Sequence, residues 1–385
     1  MLSILSIVFL IAIFLVARMV YISPSPQRRL LFILSALLLI ALGSSFLNPL
    51  APQATIGGMA VLPLESASSS PDLSRFREVP DRKTELKIDE RTSSDVQKHS
   101  FITKYYDEER LPSTLVLVAT KDDRSWGHNE GEPDRTFTDF LDLVSRQQVP
   151  PQDISIGLLT SNRESLDRYT TTLLSKDIPI ASVEIIYAPS TDFQIGPDAT
   201  ERSFQTRNML MKELVKKEEH VVWVDPDIFE LPEGLFDRFY KVAKSGMEQI
   251  QVANAPKGKG SKLLPLGITT VMCRQTNYKD MVRNAYSGPS EAEMKKWQED
   301  ASQKPLKSWP KPMSHLLEGT SDDTLVRLDG VGETILYIRG DLIRKGLKWP
   351  QGDRSNSEGL CASAKDMGWG CYGLGGGWET RHTDI

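Results

Sequence analysis

Cysteine is scarce in this 385-residue chain, which has only Cys273, Cys361 and Cys371. Three cysteines allow one disulfide, exclude a disulfide framework, and show no metal-binding spacing. No Asn-x-Ser/Thr with a non-proline middle residue occurs, so no glycosylation signal speaks for a luminal location. A P-loop is missing as well. So is a Gly-x-Gly-x-x-Gly after the first expected strand, where the chain reads Ala119-Thr-Lys-Asp-Asp with no glycine before Gly127. The glycine cluster at 373–377 follows no long strand and opens no helix. These absences argue against a P-loop NTPase and a Rossmann dehydrogenase. Positive charge is not in surplus: 46 Lys and Arg face 51 Asp and Glu, a formal net charge of −5. With no basic, aromatic-interleaved stretch, no nucleic-acid partner is expected.

Long apolar runs are present, and they come first. Residues 2–22 are apolar apart from serines, a tyrosine and Arg18, and residues 30–47 form a second run. The second is close to the ~20 residues that cross a bilayer. Two runs in tandem do not resemble a cleaved signal peptide, so residues 1–50 are expected to be a membrane anchor. Arg18, Arg28 and Arg29 within and between the runs place that loop on the cytosolic side and everything after Asn48 in the lumen. Residues 51–110 read as a stem, with Pro63, Pro71, Pro80, a serine-rich stretch and a charged tract over 75–98. A helix packing on the folded part is expected near residues 96–106.

From residue 111 to 385 the pattern alternates. Strands are expected at 115–119, 155–160, 183–187 and 221–224, with helices around 137–147, 164–175 and 202–217 between them. Beyond these, a helix is expected at 235–243, a strand at 251–253, a polar connection over 278–312, a strand at 330–338 and a helix at 358–367. This predicts an α/β domain with a Rossmann-like, mostly parallel central sheet and ligand loops at the strand carboxyl ends.

Residues 220–231 carry the most chemistry. An apolar run ends at Asp225-Pro226-Asp227, and Pro226 stops the strand. Two carboxylates at the carboxyl end of a buried strand offer hard oxygen ligands for Mn²⁺ or Mg²⁺ on nucleotide phosphates. A solvated Asp-Pro-Asp turn is the plain alternative. Arg202 and Arg207, on the preceding helix, suit phosphate because the guanidinium fork matches its oxygens. Thr120 and Ser161 end the first two strands, where base or ribose would lie.

With its acidic pair at that position, the domain looks like a glycosyltransferase of the GT-A type. Four ordered segments resemble the fungal mannan-polymerase family of Golgi α-mannosyltransferases, glycosyltransferase family 62. They are Thr206-Arg-Asn-Met-Leu, Val222-Trp-Val-Asp-Pro-Asp-Ile, Leu328-Asp-Gly-Val-Gly-Glu-Thr, and Ser357-Glu-Gly-Leu-Cys-Ala-Ser-Ala-Lys, followed by Tyr372-Gly-Leu and His382. The match spans residues 115–382. The sequence departs from the pattern at Glu333, where the family has glycine. It departs again over 291–297, where Glu293 keeps a carboxylate ahead of Trp297 but lysines replace polar residues.

The resemblance implies a luminal Golgi enzyme that transfers mannose from GDP-mannose to α-mannan or glycoprotein glycans with retention. It implies Mn²⁺, or Mg²⁺, held by Asp225, Asp227 and His382, and nucleotide contacts from Asp225, Arg202, Arg207 and Asn208, the last also suited to ordering the loop beneath. Asp329, Glu358 and Glu293 are the acceptor-side carboxylates, for sugar-hydroxyl binding or charge stabilisation. Plain structural roles for Asp329 in a turn and Glu358 in a helix's first turn stand beside that. Homologous subunits in a complex are implied as partners, besides the membrane. The rival expectations are a non-catalytic homologue serving as a complex subunit and a transferase using another donor, such as a UDP-sugar.

Overall fold

The computed structural model describes residues 84–89, 96–129, 131–189, 199–245, 250–255, 263–275, 285–289, 309–332, 334–350 and 356–383, with 247, 294–295 and 299. All belong to one unit, Ser69–Ile385. Both apolar runs, residues 51–83, Glu293 and Glu333 lie outside the described residues. Among the described residues, no helix is long and apolar enough to cross a membrane.

The strands in chain order are β1 (Glu85–Asp89), β2 (Gln97–Ile102), β3 (Thr114–Thr120), β4 (Ile154–Thr160), β5 (Ser182–Tyr187), β6 (His220–Val224), β7 (Ile228–Glu230) and β8 (Gln251–Val252). They continue as β9 (Leu266–Thr270), β10 (Met272–Gln275), β11 (Tyr286–Ser287), β12 (Lys311–Pro312), β13 (Thr324–Leu328), β14 (Ile335–Arg339), β15 (Gly370–Leu374) and β16 (Glu379–His382). The helices are α1 (Phe137–Ser145), α2 (Arg163–Ser175), α3 (Ala199–Leu214), α4 (Leu235–Lys244), α5 (Met313–Leu317), α6 (Gly340–Arg344) and α7 (Asn356–Asp366).

The central strands form because their β-rich apolar runs can be buried on both faces at once. On β3, Val116 and Val118 enter one core while Leu115 and Leu117 enter the other; β6 divides Val222 and Val224 from Val221 and Trp223 in the same way. That period of two makes three layers. Phe137, Phe140, Leu166, Tyr169, Phe236 and Phe239 of α1, α2 and α4 cover the first face. Phe204, Leu210, Met211 and Leu214 of α3, with Leu360 and Ala364 of α7, cover the second. Helix starts are locally encoded: Asn162 accepts from the Ser165 amide at 2.9 Å, and Thr136 pairs reciprocally with Asp139.

The large sheet runs β1-β2-β5-β4-β3-β6-β14-β9-β15-β13-β8. Its β5-β4-β3-β6 part is parallel, as the alternation predicts. Elsewhere it is mixed: β2 joins β5, and β14 joins both β6 and β9, in antiparallel register. The expectation of a mostly parallel sheet is therefore corrected. The helix expected near 96–106 is also corrected. Residues 97–102 are strand β2, because pairing along all of β5 buries His99 and Phe101, and this outweighs local helical propensity. Part of the expected stem thus belongs to the sheet. The strand expected at 330–338 begins only at Ile335; β13 ends at Leu328, and residues 329–332 and 334 are outside both strands.

Two short additions bring the far end of the chain to the end of β6. The Asp225 amide donates to the Thr334 carbonyl at 2.8 Å, extending the β6–β14 pairing by one residue. After the turn, β7 pairs with β16, which also lies parallel to β10. The register sets His382 opposite Ile228, one residue past Asp227.

Candidate active site

Asp225, Asp227 and His382 each point one donor atom into a common space, with all three atoms within 4.8 Å of one another. His382 Nδ1 lies 2.9 Å from Asp227 Oδ2, and its Nε2 lies 3.0 Å from the Thr334 hydroxyl. Burial alone would lower the His382 pKa. The Asp227 carboxylate, with Cys273 beside it, outweighs burial and raises it to about 11. Nδ1 faces the Asp227 carboxylate and Nε2 shares a hydrogen bond with the Thr334 hydroxyl. Two carboxylate oxygens and an imidazole nitrogen make a donor set that fits Mn²⁺ or Mg²⁺, the nitrogen favouring Mn²⁺. The ring would have to lose its proton to act as a ligand.

The surrounding backbone fixes this cluster. The Thr383 amide donates to the Asp227 carbonyl at 3.0 Å. Gly127, in the loop after β3, has φ +72°, and a Cβ there would lie 2.1 Å from the Thr383 hydroxyl oxygen. Only glycine lets the two segments close. Arg135 donates to the Ile228 carbonyl from beneath the turn. Its pKa is lowered by burial, against the pull of Asp139 and Asp227. Sequence reasoning missed Gly127 and Arg135, since neither belongs to a motif and only tertiary packing brings them here.

Arg207 stands beside the carboxylates. Its guanidinium lies 3.5 Å from Asp225 Oδ1, with the side chain 11% exposed. It sits 4.8 Å from the Trp349 ring centre and 5.6 Å from that of Trp223. Arg202 falls on α3, and its side chain lies outside the described residues. Asn208 does not face the site. Its amide oxygen accepts from the Trp349 amide at 2.8 Å, and its amide nitrogen donates to the Trp349 carbonyl at 2.9 Å. The expected nucleotide contact is replaced by a clamp on the 349–350 segment, because buried Trp349 needs its main chain satisfied.

Thr120 is corrected likewise. Its side chain is buried, donates to the Leu159 carbonyl at 3.3 Å and bonds to Tyr169, so it serves the core, not a ligand. Burial pushes the Tyr169 phenol up to about 12. Ser161, partly exposed, reaches the Lys121 carbonyl at 3.4 Å and ties the two loops at the carboxyl ends of β3 and β4. Tyr372, of the motif before His382, is a core residue whose hydroxyl donates to the Leu264 carbonyl at 2.6 Å.

Asp329 and Glu358 are joined by a residue that sequence reasoning overlooked. Asp329 Oδ2 accepts from the Gly288 amide at 2.9 Å and from the Ser287 hydroxyl at 3.2 Å. Glu358, 7% exposed, accepts from the Tyr286 hydroxyl. The helix bearing Glu358 is held by the Cys361–Cys371 disulfide to β15. It also packs on Pro350, whose Cγ a Cβ at Gly359 would meet at 2.1 Å. Tyr286 lies in a stretch the sequence marks only as a polar connection, so nothing local singled it out.

The α/β sheet thus gathers two carboxylates and a histidine at one strand end. The profile of the Anp1 family matches residues 99–352, and the chain belongs to that family, the mannan-polymerase family its motifs resemble. The mannan polymerase complex subunit mnn9 of Schizosaccharomyces pombe (strain 972 / ATCC 24843) is 29% identical over 179 residues, covering 44% of this chain and 48% of that protein. The chain thus matches about half the length of this curated relative. Among solved structures, the mannosyltransferase PcManGT from Pyrobaculum calidifontis in complex with GDP-Man and Mn²⁺ is 10% identical, with a TM-score of 0.40 over 72% of this chain and 59% of that one. S. aureus TarS 1-349 is 11% identical, with a TM-score of 0.37 over 70% and 60%.

Proposed function

We propose that the chain is a metal-dependent glycosyltransferase that moves mannose from GDP-mannose to an α-mannoside or glycoprotein glycan, with retention at the anomeric carbon. The observation that carries this reading is the Asp225, Asp227 and His382 cluster at the carboxyl end of β6. These three residues would hold Mn²⁺, or Mg²⁺. When bound, the cation supplies Lewis-acid neutralisation of the diphosphate leaving group. Arg207, already oriented by two indoles, offers its fork to a phosphate oxygen beside Asp225. Asp329 and Glu358 accept hydrogen bonds from sugar hydroxyls. In the reaction the bond from the anomeric carbon to phosphate oxygen breaks, and an acceptor hydroxyl oxygen forms the new bond on the same face. The acceptor's proton passes to the departing phosphate, so no side-chain base is required.

The Cys361–Cys371 disulfide supports an oxidising compartment, which agrees with the Golgi lumen behind an N-terminal membrane anchor. The relative mnn9 bears the name of a complex subunit, and this favours homologous subunits as partners. It also favours a second reading, a subunit without its own catalysis. Transfer of labelled mannose from GDP-mannose to α-mannobiose, by full-length wild-type protein and by Asp227→Ala and His382→Ala variants, separates the two. The transferase reading expects Mn²⁺-dependent transfer that falls at least about 100-fold in either variant, as for loss of a group acting on transition-state charge. A wild type that binds nucleotide yet transfers nothing would favour the second.

A further inference from the structure

Two carboxylates on different elements are held by one short strand. The main chain of Tyr286 in β11 closes on the loop after β13. Its amide donates to the Gly330 carbonyl at 3.0 Å, and its carbonyl accepts from the Asp329 amide at 2.8 Å and the Gly330 amide at 3.2 Å. The next two residues bind the Asp329 carboxylate, and the Tyr286 hydroxyl reaches across to Glu358 Oε1, 72 positions away in sequence. Tyr286 is therefore tied to one carboxylate's loop by main chain and to the other carboxylate by side chain. Glu358 cannot drift from it, since the disulfide one helical turn along and the Pro350 contact at Gly359 pin the start of α7.

Chain connectivity links this assembly to the metal cluster. From Asp329 the chain reaches Thr334 in five residues, a span of at most about 17 Å. Thr334 accepts from the Asp225 amide and meets His382. A donated phenol hydrogen bond fixes the rotation of a carboxylate, and rotation decides where its oxygens meet an incoming hydroxyl.

We infer that Tyr286 is a positioning residue that holds Glu358 and Asp329 as one fixed wall receiving the hydroxyl groups of a saccharide acceptor. The inference rests on the transferase reading above. Phenylalanine at 286 keeps the ring and the main-chain pairing and removes only the hydroxyl, so it tests the link with little risk to folding.

The experiment is a double-mutant cycle on the full-length protein, using Tyr286→Phe, Glu358→Gln and the pair. GDP-mannose is the donor, α-mannobiose the acceptor, and thermal melting and Mn²⁺-dependent GDP affinity are recorded alongside. Tyr286→Phe is expected to lower kcat about tenfold, the size of a lost hydrogen bond to a charged group. Donor KM and GDP affinity stay at wild-type values, while the melting temperature falls by a few degrees because a buried carboxylate loses one hydrogen bond. Glu358→Gln falls at least as far, and the pair falls no further than Glu358→Gln alone, because both changes break one unit. The inference is overturned if Tyr286→Phe behaves as wild type, if the two losses multiply, or if GDP affinity falls along with kcat. A wild type that transfers nothing overturns the transferase reading itself and the inference with it, and that result is visible without either variant.

Discussion

Arg207 owes its place to its neighbours as much as to its charge. Flanked by Trp223 and Trp349, its planar group is oriented before any phosphate arrives, so little side-chain entropy remains to be lost on binding. Arg207→Lys keeps the charge but loses the fork and the stack. It should weaken Mn²⁺-dependent GDP binding by about tenfold or more, as measured by calorimetry, and an unchanged affinity would remove Arg207 from the phosphate site. His220, at the opposite end of β6, makes a stability prediction. Burial, reinforced by the positive charges of Lys244 and Arg339, holds its pKa down at about 4, against an ordinary 6.5. Its ring stacks on Tyr240, with centroids 4.0 Å apart, and Nδ1 shares a hydrogen bond with Tyr337. The unfolded chain takes up this proton first as pH falls. The stability due to neutral His220 is therefore complete above about 6.5 and is lost progressively as pH drops toward about 4. Denaturant titrations between pH 7.5 and about 4.5 should show His220→Phe losing stability less steeply than wild type over that window; equal slopes would contradict the assignment.

At the scale of elements, contacts run from α3 to α7 through one short segment. Asn208 clamps Trp349, Pro350 follows, and Pro350 packs on Gly359 next to Glu358. Asn208→Ala leaves the Trp349 amide and carbonyl buried without these partners and should cost about 1–3 kcal/mol of stability. Thermal melting checks this, and a variant as stable as wild type would show that the clamp contributes nothing. The sequence pairs Arg207 with Asn208 as neighbours in a motif, which reads like a shared task. On a helix, however, adjacent residues face about 100° apart, so one turns to the site and the other to the packing. Apolar runs that are buried on both faces, such as residues 115–119 and 221–224, were legible because burial leaves a pattern in the sequence itself. Strand β2 was not: its Gln-Lys-His-Ser-Phe-Ile carries a weak alternation, and only pairing with β5 decides its form. The break at 329–332 was hidden in the same way by β-prone residues on either side of Gly330.

Across the whole molecule, the metal cluster and its neighbours are assembled from widely separated pieces: the β6 end, helix α3, Thr334 ahead of β14 and strand β16. Asp225 and Asp227 were readable because strand, proline and carboxylates are contiguous. His382 was readable only through its place after Tyr372 in the family pattern, since nothing near it announces that β16 will lie beside β7. Thr120 shows the converse, a residue at the right strand end whose side chain turns inward. The one disulfide that three cysteines allow joins Cys361 to Cys371 and leaves Cys273 free and buried beside His382. The central claim is that this convergence is a cation-dependent site for a guanosine diphosphate donor. Its most direct measurement is calorimetry of GDP and UDP with the full-length protein, with and without Mn²⁺, beside Asp227→Ala. The account predicts GDP binding that requires Mn²⁺, is absent for UDP and is lost in the variant. Nucleotide binding that ignores both Mn²⁺ and the loss of Asp227, or none at all, would contradict it.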